Sequence, residues 1–328
     1  MNAGEHSAVS HRSVRAVVSV AIVGAGLVGT TTAHALLVSG TASEIILIGR
    51  DRRRVDAYVH DLRDATHYSQ PTRIVSGDYS DCAAADVVIL TVGTSQGPRS
   101  RLNDLMESGA MLREVVQKVA YHMPRGVLLI ATNPVDVLTY ASLRWSGLPA
   151  SRVIGSGTTV DTSRFRRRLA ELYGVSPDSV HAYILGEHGD SQVACLSSAR
   201  IAGTPLNDLC GQQYPPCDEA TLRLIADDAR LGGLEIIRNK GATQYGISAA
   251  LTRIVGAIVR NEHAVLTVST LTPAWMNLGS VCLSLPTIIA SNGAERVLPM
   301  RMNEEEMLAL QKSAGILRRH AGTLDLPT

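Results

Sequence analysis

The chain has 328 residues, 45% hydrophobic and 19% charged, so it exceeds the usual reach of one hydrophobic core and is neither disordered nor fibrous in composition. Its formal net charge of +1 gives no electrostatic case for nucleic acid or an anionic membrane as partner. The five cysteines (Cys82, Cys195, Cys210, Cys217, Cys282) are odd in number, scattered and free of Cys-x-x-Cys spacing, which speaks against a disulfide framework or a zinc site and for a reducing cytoplasm. Residues 1–16 are polar, without the apolar stretch of a signal peptide, and read as a flexible tail. Later apolar stretches are all interrupted by Gly, Pro or charge before reaching spanning length.

Val17 to Val23 is a short β-branched run that stops at glycines, and Leu27 to Ser39 reads as an apolar helix ended by Gly40. Glu44 to Ile48 predicts a second strand, Arg52 to His67 a polar helix, Thr72 to Val75 a third strand and Val87 to Val92 a fourth. A helix over Leu105 to His122, a buried strand over Val127 to Ala131 and a helix over Asp136 to Trp145 complete an alternation that implies a parallel sheet. The expected fold class is α/β: a Rossmann-type doubly wound sheet over 17–155, followed by an α+β catalytic domain over 156–328. In that second part the pattern predicts a helix from Asp161 to Tyr173 and strands near His181 to Leu185 and Gln192 to Leu196. Gln212 to Cys217, with Pro215-Pro216, reads as an irregular loop. Long helices follow over Asp218 to Asn239 and Thr243 to Arg260, then strands near Ala264 to Leu271 and Val281 to Leu285, and a last helix from Asn303 to His320.

Gly24-Ala25-Gly26-Leu27-Val28-Gly29 directly follows the first strand and opens the first helix, the context that makes such a pattern a dinucleotide site. The first glycine allows the turn, the second lets backbone approach a pyrophosphate, and the third lets helix pack on strand, while the helix N-terminus offers free N–H groups to phosphate. About 20 residues on, where a carboxylate would hold a ribose diol, stand Gly49 and Arg50. Arg50, Arg52, Arg53 and Arg54 favour a ribose 2′-phosphate of roughly −1.5 to −2 charge, hence NADP over NAD. The alternative is a solvated helix start with Asp51 on the diol.

Gly186-Glu187-His188-Gly189-Asp190-Ser191 and Asp161-Thr162-Ser163-Arg164-Phe165 supply an imidazole for acid–base work, a carboxylate to orient it and a guanidinium for an anionic substrate. Together they describe a proton-coupled reaction on a carboxylic acid. One histidine of 10 would mean little alone, and Asp161 as an N-cap with Arg164 on the surface explains each residue singly but not their joint occurrence.

With these motifs, with Thr132-Asn133-Pro134-Val135-Asp136 and Lys240-Gly241-Ala242-Thr243, and with the run from Val180 to Asp190, the chain resembles the L-lactate dehydrogenase branch of the lactate/malate dehydrogenase family from about Val18 to the final helix. The resemblance implies hydride transfer between a nicotinamide cofactor and a short 2-oxo or 2-hydroxy acid without metal, pyruvate and L-lactate first. In it His188 is the proton donor and acceptor, Asp161 its partner, Arg164 the carboxylate anchor and Arg101 the carbonyl-polarising residue on a mobile loop. Gln96, Asn133 and Thr243 fall in the substrate pocket, and Leu27, Val28, Thr91, Gly93 and Asn133 join the glycines, Gly49 and Arg50 on the cofactor. Thr243 also stands where it could cap the helix it precedes. A homotetramer or dimer is implied as well, and Arg166 and His181 match positions where bacterial relatives bind fructose 1,6-bisphosphate. The plainer reading of those two is a solvated helical face with Arg167 and Arg168, and a strand residue.

The loop Gln96-Gly97-Pro98-Arg99-Ser100-Arg101-Leu102 is one residue shorter than the family's usual stretch between proline and the polarising arginine, and Arg99 adds a cation. Gln96 suits a small uncharged side chain on the substrate, whereas Arg99 could reach a second carboxylate or replace Arg101. The alternatives are therefore a malate dehydrogenase, a reductase of bulkier 2-oxo acids and, from another class, a non-catalytic nucleotide-binding or structural protein on the same scaffold.

Overall fold

The computed structural model describes residues 17–93, 101–209 and 218–327. The expected tail over 1–16 and the expected loop from Gln212 to Cys217 lie outside the described residues, as do Gln96 and Arg99. Strands and helices alternate through the first half: β1 (Ser19–Val23), α1 (Leu27–Val38), β2 (Glu44–Ile48), α2 (Arg52–Asp64), β3 (Arg73–Ser76), β4 (Val87–Leu90), α3 (Arg101–His122), β5 (Val127–Ile130), α4 (Val135–Ser146) and β6 (Val153–Gly155). The six strands pair in parallel in the order β3-β2-β1-β4-β5-β6, so the winding reverses between β1 and β4. A crevice at the carboxyl ends of these two strands is where such a sheet takes its ligand.

The apolar runs of the strands are continuous because both sheet faces are covered. Alternate residues Ala21, Val23, Val88, Leu90, Leu128 and Ile130 pack against α3 and α4, while Val20, Ile22, Val87, Ile89, Val127 and Leu129 pack on the opposite face against α1 and α2.

The second half comprises α5 (Thr159–Tyr173), β7 (Val180–His181), β8 (Ile184–Leu185), β9 (Val193–Ala194), β10 (Arg200–Ile201), β11 (Thr204–Pro205), α6 (Glu219–Lys240), α7 (Tyr245–Val259), β12 (Ala264–Leu271), β13 (Cys282–Ala290), β14 (Gly293–Val297) and α8 (Glu304–Ala321). The parallel part of the sheet ends at Gly155, but β12 pairs antiparallel with β6 through Ser269 and Gly155, and β13 and β14 extend the sheet to nine strands. The stretch from His181 to Leu185 is two short strands in separate small sheets, because the carbonyls of Ala182 and Tyr183 between them accept from Arg166 Nε and Cys195 N–H. Helix α2 ends at Asp64 and passes into a single tight turn over Ala65–Tyr68. Among the described residues no helix is long and apolar enough to cross a membrane.

Candidate functional site

The glycine turn has the shape a dinucleotide requires. Gly24 has φ of +120°, and its N–H donates to the Ile48 carbonyl at 2.8 Å, which joins the turn to the end of β2. A side chain on Gly29 would fall on the Gly24 carbonyl oxygen, so the third glycine is what lets α1 lie against β1. Gly26, the N-cap of α1, differs: a Cβ there would meet no atom within 4 Å, and no side chain caps the helix. The free N–H groups of the first turn therefore face open space of the kind a pyrophosphate would fill. Thr91, at the end of β4, closes the other side by donating its hydroxyl to the Gly24 carbonyl at 2.9 Å, and Gly93 also borders open space. Leu27 and Val28 are the first two residues of α1.

At the ribose end, a Cβ on Gly49 would approach Val55 Cγ2 to 2.8 Å and Ala25 Cβ to 3.2 Å, so close packing accounts for this glycine as well. Asp51 is the N-cap of α2, accepting from Arg54 N–H at 3.2 Å. Arg52 donates to the Ser76 and Gly77 carbonyls and pairs with Asp56, and Arg54 lies over the Tyr58 ring and donates to its hydroxyl. Arg50 and Arg53 are exposed.

The chemical site is built around Asp161. This residue lies in the first turn of α5, whose N-cap is Thr158, so its carboxylate is not occupied in capping. It is 2% exposed, and its two oxygens face two basic side chains: Oδ2 stands 2.6 Å from His188 Nδ1, and Oδ1 accepts from an Arg164 Nη at 3.0 Å. Arg164, one helical turn further on, is 19% exposed and covered by α6, where Gly232 and Gly233 let the helix backbone come close. It is not a surface residue. His188 sits on the segment between β8 and β9, and none of the described hydrogen bonds uses its Nε2. Burial works against a charge on this ring, but the Asp161 charge and hydrogen bond, with Asp136 behind them, outweigh burial and the opposing Arg164, raising the histidine pKa above its ordinary 6.5.

Two anchors hold the histidine segment that residue patterns alone did not identify. The His188 N–H donates to Asp136 Oδ2 at 2.7 Å, and the Glu187 N–H donates to Ser313 Oγ of α8 at 2.9 Å. Glu187 in turn accepts from the Ser191 hydroxyl at 2.5 Å, tightening the turn. The only sequence signal for Asp136 was its membership of the Thr132 to Asp136 motif, and Ser313 gave none.

Asn133 is exposed just beyond β5, at the same ends of the strands as the glycine turn. Arg101 is the first residue of α3, which starts four residues before the expected Leu105. Thr243 precedes α7, but the N-cap is Gln244 and no side chain makes a cap bond, so the capping role is not its own. Arg166 is not on a solvated face: its Nε donates to the Ala182 carbonyl at 2.8 Å and its guanidinium stacks 4.7 Å from the Tyr183 ring centre. His181 is exposed on β7, opposite Arg200 of β10.

Residues 18–155 match the family model for the lactate/malate dehydrogenase NAD binding domain, and residues 158–323 match that for the lactate/malate dehydrogenase alpha/beta C-terminal domain. The L-lactate dehydrogenase of Acetivibrio thermocellus is 43% identical over 94% of this chain and 97% of its own length, and that of Thermus aquaticus is 45% identical over 93% and 99%. Among solved structures, the minor L-lactate dehydrogenase of Enterococcus mundtii superposes with a TM-score of 0.91 at 37% identity, covering 95% of this chain and 99% of that one. A lactate dehydrogenase from a Medee basin deep-sea metagenome library gives a TM-score of 0.90 at 35% identity, covering 93% and 98%. With both halves matched by their own family models, and relatives alike over nearly their full length, this chain belongs to the lactate/malate dehydrogenase family.

Proposed function

We propose that the protein is an L-lactate dehydrogenase interconverting pyruvate and L-lactate with a nicotinamide cofactor. The observation that carries this reading is the single buried carboxylate, Asp161, holding the ring of His188 on one oxygen and the guanidinium of Arg164 on the other. A 2-oxo acid needs both groups on one molecule: a cation for its carboxylate and a proton for its carbonyl oxygen. Gly24, Gly26, Gly29, Thr91, Gly93 and Asn133 would hold the cofactor, which when bound supplies hydride to the carbonyl carbon or accepts it from the alcohol carbon. Arg164 grips the substrate carboxylate and fixes its orientation. As negative charge develops on the carbonyl oxygen, His188 delivers its Nε2 proton, and Asp161 stabilises the ring in its charged form beforehand. By family resemblance, polarising the carbonyl is assigned to Arg101, and contact with the substrate's side-chain end to Gln96 and Thr243.

The test is reduction of pyruvate, oxaloacetate and longer 2-oxo acids by NADH and by NADPH. Pyruvate is expected to give the highest kcat/KM. A higher value for oxaloacetate would move the chain to the malate side and assign Arg99 a second carboxylate, and cofactor binding without turnover on any substrate would favour a non-catalytic role.

For the cofactor, the family's NAD-binding domain supports the nicotinamide dinucleotide class. We infer a preference for the 2′-phosphorylated form from Gly49 and Arg50, with Arg53 as the second available cation, since Arg52 and Arg54 are engaged elsewhere. Arg50→Ala, at an exposed position, should lower the NADPH to NADH ratio of kcat/KM; an unchanged ratio removes the inference.

We also propose a cytoplasmic homotetramer or dimer, a location supported by the buried free thiols of Cys82, Cys195 and Cys282. Arg166 and His181 are proposed to take fructose 1,6-bisphosphate between subunits. If the bisphosphate changes neither the KM for pyruvate nor the assembly size in solution, the effector site is withdrawn.

A further inference from the structure

Carboxylates from two different helices hold His188, and the reaction above accounts for only one. Asp161 of α5 binds the ring, whereas Asp136 of α4 binds the main chain of the same residue, its Oδ2 accepting the His188 N–H at 2.7 Å. Resting on the reading of His188 as proton donor, we propose that Asp136 is a second positioning carboxylate, which fixes the backbone that carries the ring and sets a negative charge behind it.

The carboxylate has no simpler task. It is 2% exposed, and a neutral acceptor would hold one N–H with far less desolvation than a carboxylate. It does not cap its own helix, whose N-cap is Pro134 without any side-chain cap bond. Its second oxygen, Oδ1, is buried, and the polar group beside the carboxylate on β12 is the buried hydroxyl of Ser269. A negative charge in this place is supported by the first turn of α4, where free N–H groups and the helix dipole favour an anion. Asn133 stands two residues before α4, so the residue proposed for the cofactor side and the anchor of the histidine segment are close neighbours in the chain.

The charges around the pair set the direction of the effect. Facing Asp136 are Ser269, the His188 N–H and ring, Glu187 next to it in the chain, and the buried Cys282 thiol of β13; facing the His188 ring are Asp161 and Arg164 of α5. Burial pushes Asp136 up to about 6 against the pull of Ser269 and His188, so it is ionised at neutral and alkaline pH, where reduction needs the ring to keep its proton. Removing that charge weakens the proton on His188. Reduction uses the charged ring and oxidation the neutral one, so both pH breaks should move to lower pH. Reduction at pH 8 then falls while oxidation at pH 6 rises, whereas mere loss of packing would lower both.

The experiment is the NMR titration of the His188 ring in the cofactor-free full chain and in Asp136→Asn, with the resonance assigned by its loss in His188→Gln. It is paired with pH profiles of kcat/KM in both directions. The expected result is a break lower by about half to one pH unit, a three- to tenfold fall for reduction at pH 8. Asp136→Ser, a smaller neutral acceptor, should give the same shift and serves if Asp136→Asn does not fold. An unchanged titration in either folded variant overturns the proposal, as does failure of both to fold, which would leave Asp136 a purely structural residue. A shifted titration supports it even if the chain reduces no 2-oxo acid, a result that would strike the proposed function alone.

Discussion

Asp161 organises the site because its two oxygens hold two basic side chains: one orients the His188 ring and favours its charged form, the other fixes the guanidinium of Arg164, which is itself mostly buried. The roles separate on mutation. His188→Ala should lower kcat by about 10²- to 10⁴-fold, the range of general acid–base catalysis, and leave the cofactor Kd unchanged in a fluorescence titration. Arg164→Lys should raise KM for pyruvate by about 10- to 100-fold, the size of one charge-assisted hydrogen bond, because an ammonium cannot match both carboxylate oxygens. Equal small effects of the two variants on both constants would contradict the assignment. The sign of the pH dependence follows from the ring. With its pKa raised above 6.5, His188 keeps its proton to higher pH than an ordinary imidazole, so kcat/KM for pyruvate reduction should fall only as pH climbs through the raised value. Asp161→Asn should bring that fall to lower pH. A profile for Asp161→Asn that superimposes on the native one would show that this carboxylate does not set the proton on the ring.

The glycine turn divides one motif into two physical tasks, which substitution by alanine distinguishes. In Gly29→Ala the new methyl falls on the Gly24 carbonyl and crowds the Thr91 hydroxyl, so α1 must lift from β1; overpacking of this kind costs about 1–3 kcal/mol, readable as a lower denaturation midpoint. In Gly26→Ala the methyl enters open space, so stability should stay near native while cofactor affinity drops. Equal loss of stability in both variants would refute the distinction. Much of this is legible in residue order. β1, β2, β4 and β5 read as strands because both of their faces are buried, and the run from Gly24 to Gly29 reads as a phosphate turn because a strand precedes it and a helix follows. Elsewhere tertiary contacts override local pattern. Pro286 looks like a strand end but lies inside β13: it pairs with Thr267 of β12, while β14 begins its pairing one residue later at Thr287, so the missing N–H breaks no ladder on that side. β14 itself is an edge strand with exposed Glu295 and Arg296, and carries too little apolar alternation to be recognised. In the site, Asp161, Arg164 and His188 are legible as residue types in motifs. Asp136 and Ser313 are not, because a side chain that holds a distant backbone N–H leaves no periodic mark.

The two family models meet near residue 155, yet the packing does not stop there. β12 continues the sheet from β6, and α7, which comes from the second half of the chain, lies on the first half: Leu251, Ile254, Val255 and Ile258 are buried in one cluster with Leu36, Leu37, Val20 and Ile22, and Thr32 donates to Ser248 at 3.1 Å across the α1 and α7 contact. Removing α7 would therefore uncover the side of α1 that it packs on and the part of the sheet face beside it. The two halves should unfold together, and calorimetry of the full chain should show a single transition rather than two. The residues proposed to hold the cofactor all lie in the first half, but in a coupled molecule its binding would stabilise the whole fold. At a free concentration 100 times its Kd it should add about 2.7 kcal/mol and move that one transition upward without splitting it. If the halves were independent, cofactor would raise one transition and leave a second in place, and residues 1–155 expressed alone would bind it. With Leu36 and Leu37 deprived of α7, that fragment is expected neither to bind cofactor nor to melt cooperatively.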